Sequence, residues 1–124
     1  MMNYEQSMFS LPTINIVGGE TELLTFNVFN SNREPAELVS GTECGFAVAP
    51  YVSPGADPII TKTCSIQAGS SGARNVIVAT LNSADTVDLN GKFIYQLTLK
   101  FGDRAEPYQG VMYIARNIHP GYLS

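Results

Sequence analysis

"DLNGKFIYQLTLKFGDRAEPYQGVMYIARNI", residues Asp88 to Ile118, holds two alternating apolar runs around a polar, turn-rich middle. In the first run Phe93, Tyr95, Leu97, Leu99 and Phe101 fall on one side, and Gln96, Thr98 and Lys100 on the other. A period of two is that of a β-strand with one buried face. The second run, GVMYIAR, carries the same signal. The pattern predicts a hairpin centred on Ala105. Leu99 then faces Val111, Leu97 faces Tyr113 and Tyr95 faces Ala115, with all six directed into the core.

Working outward, the same period governs most of the chain. PTINIV places Ile14 and Ile16 together, ELLTFNVFN places Leu24, Phe26 and Val28 together, and ECGFAVAP does so for Cys44, Phe46 and Val48. IITKTCSI is a weaker strand with Ile60, Cys64 and Ile66 on one side. RNVIVATL is apolar on both faces, as a central or interface strand would be. Between these runs lie VGGE, NSNREP, VSGT, PYVSPGADP, QAGSSGA and FGDRAEP, whose Gly, Pro, Asn and Ser mark turns. NSADTVDLNG is the one helical candidate, a turn capped by Ser83, running to Leu89 and ended by Gly91. Short strands with frequent turns predict an all-β, immunoglobulin-like antiparallel β-sandwich of about seven strands, with at most one short helical turn. The expected organisation is an N-terminal arm over residues 1–11, a sandwich domain over 12–118 and a C-terminal tail over 119–124.

Length and composition agree with one domain. The chain has 124 residues, 44% hydrophobic and only 15% charged, which argues against disorder. Its formal net charge is −4, a poor match for phosphate backbones, so no nucleic-acid partner is expected. No apolar run approaches the roughly 20 residues that span a bilayer, so no membrane partner is expected. The start, MMNYEQSMFSLPT, lacks the basic and apolar regions of a secretory signal, and the expectation is synthesis in a cytosol. There Cys44 and Cys64 stay reduced. Symmetry about Pro54 places the two cysteines opposite each other on neighbouring strands, close enough to bridge with some strain.

Chemistry is sparse. His119, the single histidine, sits in the tail NIHPGYLS, where a solvated surface residue is the expectation. One His and two buried cysteines do not make a zinc site, and no calcium-loop spacing occurs. AGSSGA lacks the G-x-S-x-G spacing of a serine nucleophile and reads as a loop. No catalytic residue, metal or cofactor is expected, and the protein is read as not an enzyme. Recognition is left to aromatic and Met side chains. Tyr95 and Tyr113 are expected in the core, whereas Tyr4, Tyr51, Tyr108 and Tyr122 fall in termini or loops, where a ring can anchor a contact. Met8, Phe9 and Leu11 give the N-terminal arm adaptable side chains suited to a neighbouring subunit, although packing on its own domain is the equal alternative.

Two stretches carry a family resemblance. LLTFNVFNSNREPAELVSGTECGFAVA resembles the opening of the N-terminal domain of phage baseplate upper proteins, through Leu24, Phe26, Val28, Asn32, Pro35, Leu38, Gly41, Thr42 and Phe46. The stretch from Asp88 to Ile118 resembles the closing hairpin of those domains and of small prophage tail structural proteins, through Gly91, Lys92, Tyr95, Gln109, Gly110, Tyr113, Ile114 and Asn117. Together they cover about half of the chain. The resemblance implies a virion structural or adaptor role in a tail or baseplate, other tail proteins as partners and a homo-oligomer. Family members continue into distal domains, whereas this sequence ends at Ser124, so the expectation is a stand-alone adaptor or a unit completed by a separate chain. The alternative expectation is a small carbohydrate-binding or adhesin-like module using Tyr51 and Tyr108. The absence of Trp weighs against it.

Overall fold

The structure is a computed structural model that describes residues 11–118 apart from 30–33, 36, 52–56 and 71. Among the described residues the strands are β1 (Ile14–Val17), β2 (Glu22–Asn27), β3 (Glu43–Pro50), β4 (Ile60–Thr63), β5 (Ser65–Gln67), β6 (Val76–Leu81), β7 (Gly91–Phe101) and β8 (Arg104–Ala115). A short helix α1 (Ser83–Thr86) joins β6 to β7. They form two packed sheets, in the orders β1-β8-β7-β3-β4 and β2-β6-β5. With β2 as strand B, this places C, F and G in one sheet and B, D and E in the other, the partition of an immunoglobulin sandwich with an added C′ strand. The sandwich is not antiparallel throughout, because β1 runs parallel to β8.

The core comes from the alternation seen in the sequence. Phe46 and Val48 of β3, Ile77, Ala79 and Leu81 of β6, and Tyr95 and Leu97 of β7 are buried. An aromatic chain links the layers. The Tyr95 ring lies 5.9 Å from both the Phe26 and the Phe46 ring, centroid to centroid, at tilts of 34° and 32°. Each such tilted pair adds about 0.5–1.5 kcal/mol beyond the area it buries. These rings stand on strands B, F and C, where antibody domains place a disulfide and its covering Trp.

The closing hairpin departs from the expected register. Phe101 pairs with Arg104, Leu99 with Glu106, Leu97 with Tyr108 and Tyr95 with Gly110. The turn is therefore the two residues Gly102 and Asp103, with Gly102 at φ +60, a left-handed conformation that glycine adopts without penalty. Pro107 made the whole FGDRAEP run look like a breaker. In the structure Pro107 belongs to β8. Gln109, two residues on, turns its carbonyl away from β7 to accept the Leu11 N–H at 3.1 Å. The missing N–H of Pro107 points to that same side, where no β1 residue pairs with it. The shift is odd, so it exchanges the two faces of β8. Tyr108, Gly110, Met112 and Ile114 point inward, whereas Tyr113 is 42% exposed and Phe101 is 49% exposed.

Three further expectations are corrected. IITKTCSI is two strands, β4 in the larger sheet and β5 in the smaller, and the chain changes sheets at Cys64. The helix caps at Asn82 rather than Ser83 and ends at Thr86. Asp85 accepts the Asn82 N–H at 2.7 Å and meets Lys62 of β4 at 2.9 Å, so α1 is tied to the sheet edge. Leu11, assigned to the arm, is buried against the sandwich.

Candidate interaction surfaces

Of the sequence-derived contact residues, Tyr4, Met8, Phe9 and Tyr122 lie outside the described residues, as does His119. The other three do not form one surface. Leu11 and Tyr108 come together, but inside the protein. Both line an apolar cleft of about 260 Å³, with Pro12, Phe26, Phe29 and Leu97 among its other walls. Tyr108 is 3% exposed and its hydroxyl donates to Glu106 Oε2 at 3.5 Å, which corrects its placement in a loop.

Tyr51 is half-buried at the end of β3, and its N–H donates to the Lys92 carbonyl at 3.3 Å. The Lys92 ammonium sits 3.9 Å from the Tyr51 ring centroid and 5.9 Å from that of Tyr113. A cation over a ring at this distance is attracted by the ring quadrupole. One face of Tyr51 is thus already covered. Tyr51 and Tyr108 also lie on different sides of the larger sheet, so they do not build a shared platform for a sugar.

The more coherent surface is the outer face of the larger sheet. Alternation turns Gly45, Ala47 and Ala49 of β3 outward beside Ile94, Gln96 and Thr98 of β7. Gln109, Val111 and Tyr113 of β8 continue the row. At its centre Gln109 Nε2 donates to Gln96 Oε1 at 3.0 Å, and Gln96 Nε2 donates to Thr98 Oγ1 at 3.0 Å. These side chains thus hydrogen-bond within the face. Charge appears only at the ends of these rows, with Glu43 and Lys100 at one end and Lys92 at the other. The outer face of the smaller sheet is also uncharged, with Leu23 and Thr25 beside Val78 and Thr80. Both outer faces of a chain with net charge −4 are therefore uncharged at their centres.

Sequence reasoning placed Gln96 outward, as the structure does, but missed Tyr113 and Gln109 as surface candidates. The signal was present: Gly-Asp between two alternating runs is a two-residue hairpin turn, and it fixes which residues of β8 face outward. Among the described residues no group of three or more His, Cys, Asp or Glu is placed to hold a metal ion.

Comparison with protein-family models and with curated proteins returned no match.

Proposed function

We propose that this chain is a structural or adaptor protein of a phage or prophage tail or baseplate, working through protein–protein contacts, including contacts with copies of itself. The observation that supports this reading most is the uncharged, small-residue centre of the outer face of the five-stranded sheet. Charged residues are depleted at the centres of protein interfaces, because desolvating a charge is costly. Gly45, Ala47 and Ala49 keep that face flat, so a second sheet can approach to the roughly 10 Å spacing of packed sheets. Ile94, Val111 and Tyr113 supply apolar area around the internally paired glutamines. The family resemblance of the β2–β3 region and of the closing hairpin points the same way.

Sedimentation velocity across a concentration series tests the contact surface. Self-association that is abolished by Ala47→Asp, with an unchanged melting temperature, supports the reading. A monomer at every concentration, or association that Ala47→Asp leaves intact, contradicts the assignment of this face.

A further inference from the structure

Cys44 and Cys64 sit where the molecule changes sheets. Gly45 pairs with Thr63 and Val48 with Ile60, a register that carries Cys44 opposite Cys64. The Cys64 N–H donates to the Cys44 carbonyl at 2.8 Å, fixing the two backbones side by side. Directly opposed residues of an antiparallel pair have Cα atoms about 4.5–5.5 Å apart, within the usual span of a disulfide. Both cysteines are free, at 2% exposure for Cys44 and 8% for Cys64. The Cys44 thiol donates to the Gly45 carbonyl at 3.8 Å, and a hydrogen bond between the two thiols drives their pKa values apart.

We propose that Cys44 and Cys64 form an oxidisable dithiol that closes into a cross-strand disulfide when it meets a small disulfide oxidant such as oxidised glutathione. Cys64 is the attacking sulfur. It is the more exposed of the two and follows β4, the outer strand of its sheet, which pairs with β3 through only four residues. The hydrogen bond from Cys44 favours the Cys64 thiolate and holds its pKa below the usual thiol range. The same contact, with burial, pushes the Cys44 thiol up. A thiolate is the nucleophile in thiol–disulfide exchange. Cys64 displaces one glutathione as its thiolate and forms a mixed disulfide. Cys44 gives its proton to the departing thiolate and attacks the Cys64 sulfur, expelling the second glutathione. Two protein thiols are oxidised, and one oxidised glutathione is reduced to two thiols. The product ties β4 and the sheet-switching corner covalently to β3.

The native, full-length protein is equilibrated in glutathione buffers of graded redox ratio. Remaining thiols are then trapped with an alkylating reagent and the intact mass is read. The expected product is a monomer lighter by two hydrogens, with Cys44 and Cys64 both protected from alkylation. Its hydrogen exchange at Thr61 to Thr63 should be slower than in the reduced protein. Cys44→Ser should accumulate the mixed disulfide on Cys64, and Cys64→Ser should leave Cys44 unmodified. Full alkylation of both thiols at every ratio would overturn the proposal, as would cross-linking only between molecules. So would equal glutathione addition to Cys44 in Cys64→Ser. The wild-type measurement decides the matter even if a serine variant folds poorly.

Discussion

Gly110 is the cross-strand partner of Tyr95, and the tyrosine ring lies in the space a side chain at 110 would occupy. A Cβ added there would come within 2.7 Å of Tyr95 Cε1, Cζ and Oη. The Tyr95 hydroxyl in turn donates to the Pro12 carbonyl, so the ring is held from β8 on one side and from the approach to β1 on the other. Gly110→Ala must therefore push the ring off Phe26 and Phe46 or part the two strands. Chemical denaturation should show a loss of about 1–3 kcal/mol, the usual range for overpacking.

Tyr95 also gives the fold an alkaline limit. Burial raises its pKa in the folded state above the ordinary tyrosine value. The proton is then held more tightly by the folded protein than by the unfolded one. That stability is fully present below about pH 10, the unfolded value, and is lost as pH rises toward the folded value. Tyr95→Phe should be less stable than wild type at neutral pH by about 1 kcal/mol, the usual worth of a lost hydrogen bond. Its stability should fall less steeply above pH 10, which denaturation midpoints across that range will show.

The hairpin register separates two tyrosines that look alike in the sequence. Tyr108→Ala removes a buried ring and should cost about 3–5 kcal/mol. Tyr113→Ala acts on the outer face and should cost under about 1 kcal/mol. A register centred on Ala105 demands the reverse order, so the two melting curves decide between them.

Asp85 serves both α1 and the sheet edge. The Lys62 ammonium and the Asn82 N–H both favour its carboxylate and hold its pKa below the usual value. A depressed carboxylate contributes stability above its unfolded pKa of about 3.9, and that contribution fades as pH falls through the folded value. Asp85→Asn should cost about 1 kcal/mol at neutral pH. The difference from wild type should vanish in acid, as read from denaturation at pH 7 and below pH 3.

Much of the fold was legible because a period of two survives in short strands. The Cys44–Cys64 register followed from the sequence, since β3 and β4 are spaced symmetrically about their loop. The closing hairpin did not, because Pro107 looked like a breaker. Its N–H is dispensable only because β1 stops short of it, a fact of sheet order that no local pattern contains. The resulting odd shift sent Tyr113 outward and Tyr108 inward, and with them the outer face. Splitting IITKTCSI into β4 and β5 was equally invisible, since changing sheets at Cys64 leaves the alternation unbroken.

The proposed role makes this chain a tail or baseplate component held by contacts on the uncharged centres of its outer faces. Quantitative mass spectrometry of purified particles from an induced culture of the source strain tests it most directly, with surface labelling of the same particles. The chain should be present at tens of copies per particle, with Tyr113 protected relative to the free protein. Particles that form without the chain would contradict it.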